Sequence, residues 1–245
     1  MGRKLNITII LSIAIVSLAF FAESIFGFGG GLISIPLLSL LLGVKATVTL
    51  ILIFQFLMGI LIIKTYKDTD WKIALPMTAG LIIGTIVGTY ILSVMDSFLL
   101  RKLLAISIFV FLVKMIFFQG FNFGKHKQGY GGFFAGALGG LFQGMIGTGG
   151  PIFTMYLVVA QPVKVAFRAT LIYLFFATSV ICIFTSLSIG LITQKTLSSA
   201  LLIIPFFLLA IFLGNHIHYK VDEKYYRRAV QFILFFAAAS ILLTK

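Results

Sequence analysis

Glu23 is the only acidic residue inside an apolar stretch; Asp68, Asp70, Asp96, Asp222 and Glu223 all fall at connections. A carboxyl in such surroundings has two readings. It marks a pathway or a proton relay, because a charge at a bilayer centre costs about 2.5–3.5 kcal/mol on insertion scales. Alternatively it sits at an interface, at the end of the first helix. Gln143 falls opposite it, 120 residues on, and cannot titrate. If Glu23 carries a proton, only one of the two positions supplies it.

Each of these residues precedes a glycine-rich break. Residues 26–31 read FGFGGG and residues 146–150 read IGTGG, with Gly27 and Gly147 also 120 residues apart. Glycine lets backbone leave helical geometry and lets another group approach closely. A helix that starts after such a break offers unpaired N–H groups and a partial positive charge, which suits an anion. The chemistry this predicts is non-covalent. Two helix N-termini, built from Gly27, Gly29, Gly30 and Gly31 and from Gly147, Thr148, Gly149 and Gly150, converge on one oxyanion. Ser24, Thr148 and Ser34 add hydroxyl donors, and Gln143 adds an amide. The competing reading is close helix packing, where small residues are enriched in membranes.

Other polar residues have simpler readings. Arg168 and Lys45 open helices just after the segments that follow the breaks. Arg168 either draws an anion to the cavity mouth, where a guanidinium binds oxyanions in bidentate fashion, or snorkels to lipid headgroups. Lys45 and Lys114 are expected to snorkel. Gln55 and Asn215 are expected to hydrogen-bond between helices. His216 and His218 lie at a helix end without metal-ligand spacing, and Cys182 is the only cysteine, so no intramolecular disulfide forms. No paired carboxylates, nucleophile elbow or Walker motif occurs, and the glycine runs do not follow strands of a βαβ unit. The chain does not read as an enzyme and implies no cofactor.

The elements that must position these residues are membrane helices. Sixty per cent of the residues are hydrophobic and 10% charged, against roughly 25% charged in a soluble domain; the mean hydropathy is +1.16. Uncharged runs such as Ser24–Val44, Ile73–Met95 and Ala169–Gln194 meet the roughly 20 residues that a span needs. The net charge of +13 comes from 19 Lys and Arg set almost entirely in short connections. There they meet anionic lipid rather than nucleic acid. Tyr130, Tyr219, Tyr225, Tyr226 and Trp71 fit an aromatic belt, and the 27 Phe are mostly lipid-facing bulk. Arg3-Lys4 followed by an apolar run imitates a signal peptide, but Ala22-Glu23-Ser24 is a poor cleavage site, so residues 5–25 read as a retained helix.

The pattern occurs twice. Lys45-Ala46-Thr47 matches Arg168-Ala169-Thr170, and Trp71-Lys72 falls near Gln194-Lys195. Gly88, Asp96, Arg101 and Lys102 match Gly214, Asp222, Arg227 and Arg228. The expected fold is therefore an all-α polytopic membrane protein of two related five-segment halves. The first transmembrane repeat is 1–120, the linker 121–129 and the second repeat 130–245. Each half carries a short broken or re-entrant helix, at 30–43 and 150–160, after its glycine motif. Helices are expected near 5–26, 46–64, 73–94 and 99–118, then 130–146, 166–188, 197–218 and 226–244. If the short segments cross the membrane, each half makes five crossings and the halves are inverted. If they are re-entrant, each makes four and the halves are parallel. The inverted arrangement is the favoured expectation. Matching breaks in two halves point to a secondary transporter's binding site.

On these residues the chain resembles the TauE/SafE family of sulfite exporters. The family pattern is a glycine cluster, a proline and an Ala-Thr helix start, repeated. Here it reads Gly27-Phe28-Gly29-Gly30-Gly31 with Pro36 and Ala46-Thr47, then Gly147-Thr148-Gly149-Gly150-Pro151 with Ala169-Thr170. The second cluster departs from the first in ending on Pro151 where the first has Gly31. The resemblance covers nearly the whole chain. It implies a multi-pass permease of the plasma membrane that moves sulfite, a sulfonate or a similar small sulfur anion, usually outward. A secondary transporter working by alternating access is the leading expectation, with H⁺ or Na⁺ as coupling ion. A passive anion channel and a non-transporting scaffold are the alternatives. Direction and oligomeric state, a homo-oligomer included, stay open.

Overall fold

The structure, a computed structural model, describes residues 2–117, 130–161 and 163–217. Among them it is helical throughout: α1 (Gly2–Phe26), α2 (Gly30–Leu42), α3 (Val44–Leu61), α4 (Trp71–Val94), α5 (Ser97–Phe117), α6 (Tyr130–Ile146), α7 (Gly150–Ala160), α8 (Lys164–Ser188) and α9 (Gln194–Ile217), with a 3₁₀ segment at Ile63–Asp68. Five of these, in α1, α3, α4, α8 and α9, are long and apolar enough to cross a membrane. The protein is a multi-pass membrane protein. The linker 121–129, the helix expected at 226–244, and His218, Tyr219, Asp222, Glu223, Tyr225, Tyr226, Arg227 and Arg228 lie outside the described residues, as does the side chain of Lys114.

Local chemistry explains where the helices begin and end. Asp70 and Asp96, acids at connections, cap the helices that follow them. The Asp70 carboxylate accepts from the Lys72 amide at 3.1 Å, and that of Asp96 accepts from Phe98 and Leu99, both at 2.9 Å. Each satisfies amides that a helix start leaves without an intrahelical partner. α1 and α6 end on Gly27 (φ 81°) and Gly147 (φ 69°). This is the left-handed conformation that closes helices and that a side chain disfavours. α2 and α7 are 13 and 11 residues long, roughly 20 and 17 Å at 1.5 Å per residue. Neither is long enough alone to cross a hydrocarbon core of about 30 Å.

Side-chain and backbone contacts fix how the helices run. α6 lies along α4 in the same direction: Gly80, Gly84 and Gly88 face the carbonyls of Phe133, Ala137 and Leu141, while Gly136 and Gly140 face those of Met77 and Leu81. With glycine at every fourth position on both helices, no Cβ separates the two backbones, as in close membrane packing. α8 follows α4 in the same sense, through Asp70 with Thr170 and Thr89 with Cys182. α3 runs against α8, since Phe56 packs on Phe176 and Tyr66 on Tyr173. α9 packs on α1 and α3, with Phe207 on Phe54, and its end brings Asn215 to Arg168 near the start of α8, so it runs against α8. α1 runs with α9, since Phe20 packs on Phe207 and Gly214 faces the Phe21 carbonyl. Thus α4, α6 and α8 run one way and α1, α3 and α9 the other. α7 doubles back on α6, with Gly149 against Gly139 and Tyr156 near Gly132.

The Phe residues are not only lipid-facing bulk. Phe20, Phe54, Phe153 and Phe207 are fully buried, and Phe20, Phe54 and Phe207 form one cluster with ring centroids 4.9–6.0 Å apart. These rings fill the space between α1, α3 and α9, where each contributes a large apolar area. Trp71 and Tyr130 are exposed at helix starts, as an aromatic belt requires.

Candidate functional site

The two breaks meet inside the protein. A Cβ built on Gly31 would stand 2.8 Å from the Gly147 carbonyl oxygen and 3.2 Å from Nε2 of Gln55. Around this contact lies a small cavity lined by Phe28, Gly29, Gly31 and Leu32 of the first break and by Gly147, Thr148 and Gly150 of the second. Gln55 from α3, Gln143 from α6 and Phe175 from α8 complete it. It admits about one water molecule, so the conformation is closed to anything larger. No charged side chain is among its lining residues. The favourable potential for an anion comes from the N-termini of α2 and α7.

Those N-termini are already capped by the protein. The Gln143 side-chain oxygen accepts from the Gly149 amide at 2.7 Å, and its Nε2 donates to Gln55 Oε1 at 2.9 Å. At α2, the Gly30 amide is the hydrogen-bonding group that faces the Glu23 carboxyl. Glu23 is 2% exposed and its Oε2 has no hydrogen-bond partner among the described residues. The two positions are alike in reach and differ in chemistry. Gln143 is tied at both ends, whereas Glu23 retains an unsatisfied oxygen. A buried polar atom left without a partner costs about 1–3 kcal/mol.

Of the residues that the sequence pointed to, Gly29, Gly31, Gln143, Gly147, Thr148 and Gly150 line the cavity. Thr148 has its hydroxyl 3.4 Å from that of Ser107. Gly30 and Gly149 meet the capping side chains. Gly27 packs against the Arg168 backbone. Ser24 and Ser34 correct the expectation of hydroxyl donors. Ser24 Oγ donates to the Phe21 carbonyl at 2.8 Å and Ser34 Oγ to that of Gly30. Short hydroxyl side chains in helices bond back to their own backbone, so neither proton is offered to the cavity.

Arg168 and Lys45 both serve helix C-termini. Arg168 Nη2 donates to the Ser24 carbonyl at 2.5 Å and to Asn215 Oδ1 at 3.2 Å. Lys45 Nζ donates to the Ser93 carbonyl at 2.8 Å, so it is anchored to α4 rather than to lipid. A cation at the last turn satisfies free carbonyls and the helix dipole together. Gln55 and Asn215 do hydrogen-bond between helices. Gln55 is also the site residue that the sequence reading passed over; a lone amide in an apolar run was its only signal. Among the described residues no group of His, Cys, Asp and Glu is arranged to hold a metal.

Two helix breaks thus meet around a small, uncharged cavity into which two amide side chains, Gln55 and Gln143, are set. The family model of the sulfite exporter TauE/SafE matches residues 12–241, and the chain belongs to that family. It is therefore a membrane permease of a sulfur-anion exporter family. No curated protein and no solved structure matches it.

Proposed function

We propose that this protein is a secondary transporter that carries a small sulfur-containing anion, such as sulfite or a sulfonate, across the plasma membrane, with export as its direction. The observation that carries this reading is the convergence of the two glycine breaks at Gly31 and Gly147 around Gln55 and Gln143. Amides and helix N-termini hold an oxyanion without a fixed cation, so the anion is able to leave again. The closed cavity favours a carrier over an open pore, because a pore needs a continuous path.

The reading includes an inverted duplication, 1–120 and 130–245. Two facts support it. Corresponding helices run oppositely: α1 and α6, α3 and α8, α4 and α9. In addition, Gly88 faces the Leu141 carbonyl and Gly214 faces that of Phe21, and both members of that second contact are counterparts of the first. Alternating access then follows from exchange between two packings related by a pseudo-two-fold axis.

Glu23 is the proposed proton carrier. α2, which packs on it, contains no charged side chain, and the Arg168 guanidinium is engaged by the Ser24 carbonyl and Asn215, so a proton is the simplest means of neutralising the carboxyl when it is not held at the N-terminus of α2. The test is flux in proteoliposomes of the purified protein with sulfite, sulfate and sulfonates, under imposed pH and Na⁺ gradients. Accumulation of a sulfur oxyanion against its gradient supports the carrier. Flux that only dissipates gradients identifies a channel, and absence of flux for every anion overturns the reading.

A further inference from the structure

The N-terminus of α2 is shared by two different surfaces. Gly29 and Gly31 line the cavity, while Gly30 between them is pressed by the Glu23 carboxyl. A helix N-terminus carries the equivalent of about half a positive charge, and only one anionic group can use it fully. Glu23 has the features of a group that is placed there but not locked there. It is buried, its Oε2 has no partner among the described residues, and the residue that meets it is a glycine with no side chain to hold it. Gln143 at α7 is different, being pinned between Gly149 and Gln55.

We propose that Glu23 is a built-in competitor of the transported anion: its carboxyl holds the N-terminus of α2 in the closed state, and an oxyanion entering between Gly29, Gly31 and Gln143 takes its place. This rests on the transporter reading and adds to it an occupant that substrate must displace. It also assigns unequal roles to the two caps. Gln143 stays and contributes its amide to the anion, whereas Glu23 leaves. Displacement makes selectivity a difference between two ligands for one site. An anion that uses the α2 amides no better than a carboxylate gains nothing by entering, so carboxylates are disfavoured relative to sulfur oxyanions, which bring an additional acceptor oxygen.

The test is equilibrium binding of sulfite, sulfate and acetate to the purified full-length protein. Wild type is compared with Glu23→Gln, Glu23→Ala and Gln143→Ala, each first checked for folding by thermal unfolding. Competition predicts an order. Glu23→Ala, which empties the N-terminus, binds sulfite most tightly, Glu23→Gln binds with intermediate strength, and wild type binds most weakly. The step from wild type to Glu23→Gln is roughly two- to fivefold, the range of a charge at a helix terminus. Gln143→Ala weakens binding. If Glu23 acts only through its charge, Gln and Ala variants bind equally and displacement is overturned. If both bind more weakly than wild type, Glu23 is a ligand of the anion and the proposal is again overturned. Should wild type and all variants bind none of the three anions, the transporter reading falls, and the competitor falls with it.

Discussion

Gly31 and Gly147 sit so close that a Cβ on Gly31 would stand 2.8 Å from the Gly147 carbonyl oxygen. The two residues lie 116 positions apart in the chain, and nothing but backbone lies between them. Backbone cannot yield as a side-chain tip can. Gly31→Ala should therefore abolish transport and destabilise the protein by about 1–3 kcal/mol, the usual cost of overpacking. Gly43→Ala is the control: its φ is positive at 79° and nothing lies within 4 Å. With ψ at 159° it should cost about 1–3 kcal/mol of backbone strain but leave transport and the apparent affinity unchanged. Transport assays and thermal unfolding of both variants check this.

A second expectation concerns the contact of α4 with α6. Gly84 faces the Ala137 carbonyl, whereas Gly132 has only the tip of Tyr156 at 3.2 Å and Pro76 at 3.4 Å. Gly84→Ala should destabilise the protein by about 1–3 kcal/mol of overpacking and lower its unfolding midpoint. Gly132→Ala should be nearly neutral, because the tip of the Tyr156 side chain gives by a few tenths of an ångström. Equal loss in the two variants would contradict the register described for these helices.

Arg168 is expected to act on stability more than on recruitment. Its guanidinium closes the end of α1 at the Ser24 carbonyl and binds Asn215. Hydrogen bonds to a charged group contribute about 1.5–3 kcal/mol, so Arg168→Ala should lower the unfolding midpoint more than Lys45→Ala. Screening by salt weakens exposed charges. A recruiting Arg168 would make anion affinity fall further in the Ala variant at low ionic strength. An affinity gap between the Arg168 and Lys45 variants that widens as salt is removed would restore the recruiting role.

Coupling is tested at Glu23. Glu23→Gln is close in shape and permanently neutral. It should fold, retain anion exchange at equal pH on both sides, and lose transport driven by a pH gradient, because exchange needs no net proton step. Retention of the wild-type pH profile would make Glu23 structural and move the coupling ion elsewhere.

Much of this was readable before the fold. The break positions follow from glycine runs within apolar sequence, and Gly27 and Gly147 do adopt positive φ. That they meet was not readable, because the contact joins parts of the chain whose approach only tertiary packing decides. The caps at Gly30 and Gly149 were hidden for the same reason. Gln143 was marked by its place before a break, but its partner Gln55 lies on α3. The hydroxyls of Ser24 and Ser34 were misjudged by treating them as free donors, when a helix offers each its own carbonyl three or four residues back. The glycines at 80, 84 and 88 and at 136, 140 and 144 carried a spacing signal that the breaks overshadowed.

The partners of α1 and α4 bear on how such a chain is assembled. α1 lies against α9, and α4 against α6, so each early helix rests on one made much later. Neither of the two closest seams is sealed until the chain beyond residue 130 has been inserted. The portion made first leaves the ribosome with its glycine faces bare, open to lipid or to the same faces of another copy. Cutting the chain between 117 and 130 would give two fragments that each lack the other's sealing helices. They should be recovered together from a cell that makes both and be degraded when either is made alone.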